Sequence, residues 1–257
     1  MEKSGRDPSS VIYPASTIAL LLVAWEVLTW TGAAPPYALP PPREVFVELI
    51  QRWPTLLTNA LSTTVVILVG FGLSVVIGIA LAVLISSSRA FEKSIYPLLV
   101  GSQAIPKLAL APLFVVWFGF GLLPKSLMTF FIALFPVVIS TVQGISSVEP
   151  ELEFLARSMG LGNYRTFRMI RFYRALPSIF AGLKVAITLA VVGAVVGEFV
   201  GSDEGLGTLL LRAIGVVNTP LLFAALLVLT VLAVLLFALI ELVERVTIPW
   251  HVSQRSR

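Results

Sequence analysis

Six runs of mostly apolar residues divide the chain, at 11–30, 61–86, 95–118, 126–144, 179–200 and 221–243. Each comes close to the roughly 20 residues a helix needs to cross a bilayer. A segment in hydrocarbon must satisfy its own backbone hydrogen bonds, so the pattern predicts an all-α membrane protein of six transmembrane helices. Two runs are interrupted, the third by Pro97, Pro106 and Pro112 and the fourth by Pro136. Neighbouring helices of a bundle can satisfy the carbonyls a proline frees, so both runs are still expected to span. The link at 31–58 is proline-rich, "APPYALPPPREVF", with a short surface helix expected from 43 to 53; the link at 201–219 reads as a turn and a short interfacial helix. Gly193, Gly197 and Gly201 fall four apart, as do Gly70, Ser74 and Gly78. Each ladder gives its helix one smooth face for close approach to another helix.

Composition supports the same class. The chain is 57% hydrophobic and 12% charged, where soluble domains average about 25% charged residues. Its Lys and Arg outnumber Asp and Glu by 18 to 14, an excess that in a membrane protein is read by position. The N-terminal segment, the links at 87–94 and 145–178, and the C-terminal segment hold Lys3, Arg6, Arg89, Lys93, Arg157, Arg165, Arg168, Arg171, Arg174, Arg245, Arg255 and Arg257. The other face holds Arg43, Arg52, Lys107, Lys125 and Arg212, and Lys184 lies inside the fifth run. The positive-inside rule then places both termini in the cytoplasm. No small-residue cleavage site follows "MEKSGRDPSSVIYPAS", so no removable leader is expected, and residues 1–257 are read as a single transmembrane domain.

The stretch "GLGNYRTFRMIRFYRALPSIFAGL" stands apart from this apolar background. Arg165, Arg168, Arg171 and Arg174 recur every three residues, with Tyr164, Phe167 and Ile170 between them. The spacing predicts a short basic and aromatic cytoplasmic helix held between the fourth and fifth spans. Topology and anionic lipid alone would account for the arginines. The link, however, runs far beyond the two to eight residues usual between bundle helices, which favours a docking role.

Other chemistries find little material. One histidine, His251, two aspartates, Asp7 and Asp203, and no cysteine leave no metal site, no HExxH or GxSxG motif and no nucleophile with its base. "GFGLLPKS" has the wrong glycine spacing for a phosphate-binding loop, so ATP hydrolysis would need another chain. A secondary carrier or channel remains the alternative, with Glu26, Lys107, Lys184 and Glu198 as its sparse intramembrane ionisable groups.

"FLARSMGLGNYRTFRMIRFYRALPSIFAGLKVAI" resembles the EAA loop of ABC-importer permeases, with Ala156, Gly160 and Leu176-Pro177 at matching spacing. It departs from that pattern at Phe154, where the loop's glutamate is expected, and at Tyr173, where its first exit proline is expected. "PPPREVF", "IPKLALAPLFVVWFGFG", "FFIALFPVVISTVQGI" and "GEFVGSDEGLGTLL" are similar to the nitrate/sulfonate/taurine-type permeases, some of which carry thiamine-precursor pyrimidines or riboflavin. The resemblance implies the type I ABC-importer permease fold in a bacterial inner membrane. It implies a cytoplasmic ABC ATPase dimer, an extracytoplasmic solute-binding protein and a second permease chain, a homodimer or a heterodimer, as partners, besides membrane lipid. It implies no cofactor and no nucleic acid. The coupling segment is then 153–174, with Ala156, Arg157, Gly160, Tyr164, Arg165, Arg168 and Arg171 as its ATPase-coupling residues. Gly193, Gly197, Glu198 and Lys107 are the gate or pore candidates. Glu198 has two readings, an anchor for the 201–207 turn or a charged element of the outer gate.

The charge count generates a topology prediction. Cysteines introduced one at a time at Ser88 and Asp203, in a chain with no cysteine of its own, are expected to react with an impermeant maleimide from the cytoplasmic and extracytoplasmic faces respectively. Labelling of both from one face would remove the six-span arrangement.

Overall fold

The structure is a computed structural model that describes residues 9–32 and 35–250. Among the described residues all regular structure is helical. Along the chain lie α1 (Ser9–Trp30), α2 (Pro42–Gln51), α3 (Trp53–Ser87), α4 (Arg89–Gly101), α5 (Leu110–Phe118), α6 (Leu122–Ser146) and α7 (Pro150–Ser158). They are followed by α8 (Asn163–Thr166), α9 (Phe172–Gly201), α10 (Leu206–Gly215) and α11 (Thr219–Thr247). Among the described residues, four helices are long and apolar enough to cross a membrane: Trp53–Ser87, Leu122–Ser146, Tyr164–Gly201 and Thr219–Thr247. The first expected span is helical, with Ser16–Trp30 as its shorter apolar stretch.

The third expected span is not one helix. Its two pieces, Arg89–Ala104 and Lys107–Phe118, meet at 77°. Pro106 has no N–H to give to a helix, and its ring pushes the preceding residue out of the helical region. Ile105 accordingly adopts ψ 125°, between 3₁₀ turns at Ser102–Ala104 and Lys107–Ala109. Pro97 and Pro136 instead lie inside α4 and α6. The cytoplasmic link expected at 87–94 shrinks to Ser88, whose hydroxyl accepts from the Ala90 N–H and starts α4.

Contacts divide the chain into two compact units. The smaller comprises Met1–Leu57 and Leu209–Val228. Within it Trp25 Nε1 donates to the Pro40 carbonyl at 3.0 Å, Thr219 Oγ1 to Tyr37 at 2.9 Å and Asn218 Nδ2 to Glu48 Oε1 at 3.2 Å. The Trp25 and Phe223 rings lie 5.6 Å apart. These bonds fold the proline-rich link onto the start of α11.

The larger unit, Thr58–Thr208 with Leu229–Arg257, is organised around α6. Both small-residue ladders meet it. A Cβ at Gly70 would lie 2.5 Å from Thr129 Cβ, and one at Gly78 would lie 2.8 Å from Val137 Cγ1. On the α9 side, a Cβ at Gly193 would come within 2.7 Å of Thr129 Cα, and one at Gly197 within 2.9 Å of Lys125 Cα. Gly182 lies against Ser140 and Gly144 against Ser178. In lipid no hydrophobic force drives helices together, so this van der Waals contact along bare backbone supplies the cohesion. Gly193 and Gly197 are thereby covered by α6, and Gly201 is covered by Val115 of α5. Glycine is required here by proximity and not by backbone angle.

The basic helix is not a separate element, as the sequence suggested. A π-helical turn, Phe167–Arg171, joins α8 to α9, so one helix runs from the arginine segment into the fifth span. Lys184, in that span, pairs with Glu244 of α11, and both side chains are buried, 13% and 4% exposed. Breaking a buried pair strands the remaining charge at a cost of about 3–5 kcal/mol, whereas replacing both partners with apolar residues is often neutral. Lys184→Met is therefore expected to lower the melting temperature of the purified protein sharply. The double change Lys184→Met with Glu244→Met should recover most of that loss. Equal melting temperatures for wild type and the single variant would show that the pair holds nothing.

Candidate functional site

On the expected cytoplasmic side, the coupling segment is built by a helix stop and a restart. Helix α7 ends with Gly160 at φ +79°, the Met159 N–H on the Leu155 carbonyl at 3.0 Å, and the Leu161 N–H on the Ala156 carbonyl at 3.0 Å. Only glycine adopts that backbone angle without strain, which accounts for Gly160. Ala156 is buried beneath the turn, while the side chain of Arg157 lies outside the described residues. The chain restarts at Gly162, whose carbonyl accepts from both the N–H and the hydroxyl of the buried Thr166.

Tyr164, Arg165 and Arg168 then project outward, and Arg171 is half-buried. Tyr164, Arg165, Arg168, Met169 and Tyr173 line one open groove of about 630 Å³. A second hollow, about 440 Å³, continues past Tyr173 and Arg174 to Leu152, Ile170 and Trp250. The Tyr173 and Trp250 rings lie 6.3 Å apart. At Tyr173 an aromatic wall thus stands where the resemblance leads one to expect a proline. Phe154, in the loop's glutamate position, is 69% exposed. Sequence reasoning named the arginines but missed Met169 and Trp250. Trp250 stands far along the chain, and nothing in its spacing ties it to the segment.

At the other end of α9, Glu198 is 1% exposed, and its Oε2 accepts from the Gly207 N–H at 2.7 Å. The two preceding amides are held in the same way: Leu206 N–H donates to Thr63 Oγ1 at 2.8 Å, and Gly205 N–H to Asn59 Oδ1 at 2.8 Å. The first amides of a helix have no partner within it and carry its positive dipole end. Three side chains from two membrane helices supply those partners at the start of α10. Gly205 has φ +122°, and a Cβ there would lie 2.2 Å from the Glu198 carboxyl carbon, so both backbone and space demand glycine. Lys125, itself buried, donates to Ser202 Oγ at 2.8 Å, and the Ser202 hydroxyl donates to the Glu204 carbonyl. Asn59, Thr63 and Lys125 were not among the sequence candidates. Asn59 and Thr63 share one face of α3, but their partners became visible only with the fold.

The remaining candidates lie elsewhere. Gly193 and Gly197 abut α6. Lys107 stands at the α4–α5 break with its ammonium 5.7 Å from the Phe135 ring centre. Among the described residues, no group of three or more His, Cys, Asp or Glu could hold a metal.

This set of long apolar helices, with a basic groove at one end and a pinned turn at the other, defines a multi-pass membrane transport subunit. Residues 74–248 match the family of binding-protein-dependent transport system inner membrane components, and the chain belongs to it. It is 36% identical to the formylaminopyrimidine transport permease protein ThiX of Halalkalibacterium halodurans, over 94% of this chain and 96% of that one. It is 37% identical to the riboflavin transport system permease protein RibX of Chloroflexus aurantiacus, over 92% and 89%. With the taurine transport system permease protein TauC of Escherichia coli it shares 26% over 91% and 88%. Its fold is that of a chain in the inward-facing MetNI methionine ABC transporter, with a TM-score of 0.67 and 18% identity over 76% of this chain and 97% of that one. The protein is accordingly an inner-membrane ABC-importer permease of the type I fold.

The geometry of the outer turn separates the two readings of Glu198. Glutamine keeps an acceptor for the Gly207 N–H, whereas alanine leaves that amide and its neighbourhood unpaired at a cost of about 1–3 kcal/mol. Glu198→Gln is expected to keep its melting temperature and its transport, and Glu198→Ala to lose both. A glutamine variant that folds normally but hydrolyses ATP without dependence on the binding protein would assign Glu198 to the gate instead.

Proposed function

We propose that the chain works as a pair of permease subunits with an ABC ATPase on separate chains, importing a small nutrient handed over by an extracytoplasmic binding protein. The proposed topology has six crossings, α1 and the bent α4–α5 pair included, with both termini in the cytoplasm. The observation that carries the reading is the continuous helix Tyr164–Gly201. At its cytoplasmic end it presents a groove of arginines and aromatic rings, the chemistry enriched in docking surfaces. At its other end it holds the outer turn through Glu198. A push on the groove by a closing ATPase dimer moves that helix as one body, which is how the coupling segment 153–174 would drive alternating access. The segments at 31–58 and 201–219 are the surfaces proposed to receive the binding protein.

The solute we infer is a nitrogen heteroaromatic vitamin or vitamin precursor. In support, identity is 36–37% to the permeases for formylaminopyrimidine and riboflavin, against 26% and 28% to those for taurine and nitrate. Reconstitution of the chain with its ATPase and binding protein in vesicles tests this directly. ATP-dependent uptake is expected for formylaminopyrimidine or riboflavin, and uptake of taurine or nitrate alone, uptake of none of the four solutes, or uptake without ATP would overturn it.

Arg168→Glu places a carboxylate in the groove without touching the spans. It is expected to lower ATPase co-purification at least about ten-fold, equivalent to roughly 1.4 kcal/mol, while membrane insertion stays normal. Unchanged co-purification and coupled hydrolysis would leave the arginines to the lipid.

A further inference from the structure

Lys107 is an ammonium group in the middle of a membrane protein. Its partner ring, Phe135, lies halfway along the spanning helix Leu122–Ser146, which puts the cation near mid-bilayer and away from either surface. Among the described residues it has no carboxylate partner. A cation at that depth faces the bundle interior or a water-filled path, because hydrocarbon does not solvate it.

The surrounding backbone is broken in the same place. The α4–α5 pair bends by 77° between Ala104 and Lys107, and the facing helix α6 carries Pro136 next to Phe135. Irregular backbone is tolerated at membrane depth only where protein buries it or where it lines a cavity. Interrupted helices that meet near the midplane are a recurrent setting for solute contact in transporters.

Lys184 provides the contrast within the same chain. Its ammonium is matched by Glu244 and enclosed, a closed arrangement that leaves no capacity for a ligand. Lys107 rests only against a ring face, a weaker attraction that leaves its three N–H donors unmatched by any carboxylate.

We propose that Lys107 and Phe135 form a solute contact in the translocation path, with the ammonium resting on the ring when the path is empty and donating to an oxygen acceptor of the solute, a carbonyl or an anionic oxygen, as it passes. The ring remains as an apolar platform beside it. This rests on the importer reading, and it adds a mid-membrane site to the outer and cytoplasmic elements.

The absence of cysteine from the chain gives a test that needs no known solute. Lys107→Cys and Leu108→Cys are placed singly in the full complex with ATPase and binding protein in vesicles. Each is exposed to the water-borne anionic reagent 2-sulfonatoethyl methanethiosulfonate, at rest and after trapping with ATP and vanadate. Lys107→Cys is expected to react in at least one state and at least about ten-fold faster than Leu108→Cys, because the native leucine is apolar and needs no water-filled path. No reaction of Lys107→Cys in either state, or equal rates at both positions, would overturn the proposal.

Uptake supplies the second readout. Lys107→Met is expected to lower uptake of the carried solute at least about ten-fold while binding-protein-stimulated ATP hydrolysis stays within about two-fold, and Lys107→Arg should restore uptake. Wild-type uptake by Lys107→Met would overturn the proposal, as would loss of both uptake and hydrolysis in a normally folded Lys107→Met complex. Failure of the wild-type complex to import anything would defeat the importer reading, and the labelling experiment would still decide whether Lys107 lines an aqueous path.

Discussion

The contact on which the larger unit depends is the approach of α9 to α6 along bare backbone. Gly182, Gly193 and Gly197 each leave no room for a side chain against Ser140, Thr129 and Lys125. Buried alanines at 186, 190 and 194 extend the same narrow seam. Because α6 also receives Gly70 and Gly78 of α3, it is held on two faces by helices that cannot move away without losing contact along their length. In a bilayer this contact has no hydrophobic substitute, since lipid tails are as apolar as the side chains they would replace. The result is a stiff body rather than a loose bundle of spans.

Stiffness gives the length of α9 its meaning. The continuous helix Tyr164–Gly201 has 38 residues, about 57 Å at 1.5 Å per residue. That is longer than a bilayer's hydrocarbon core, so one element reaches from the basic groove to the outer turn. The π-turn at Phe167–Arg171 adds width just where the arginines sit, a distortion frequent at functional sites. At the far end the Glu198, Thr63 and Asn59 side chains hold three successive amides of the next helix. The turn into α10, residues 205–207, is therefore held to α9 and α3.

The spans were legible because hydropathy along a chain reports depth in a bilayer, and the ladders because glycine at every fourth position has few other uses. The arginine segment was recognisable by its residue types and its turn glycine. Its continuity with the fifth span was not, because Pro177 suggested an entry point and the π-turn has no sequence mark. Pro106 signalled an interruption but not whether it would be carried inside a helix, as Pro136 is, or break it. That depended on Pro97, Pro106 and Pro112 standing in one run, with Lys107 next to the middle one. The partners of Glu198 were illegible for a different reason. Asn59 and Thr63 are polar residues in an apolar helix, and only the return of residue 205 to that place gives them work.

Three charged groups inside the spanning helices show how one composition serves different ends. Lys184 has an opposite charge, buried with it, and that closed pair fastens α9 to α11. Glu198 has a helix start, whose Gly207 amide donates to its carboxylate and whose dipole favours the anion, and the arrangement fastens a turn. Lys184 and the Oε2 of Glu198 are matched by groups that cannot leave without unfolding something, while Glu198 Oε1 is buried without a hydrogen-bond partner among the described residues. Lys107 has only the face of Phe135. A charge so weakly matched at that depth costs stability. Its position beside the α4–α5 break supplies the compensating reason for keeping it, because only a weakly held donor can be released to a passing solute and recovered afterwards.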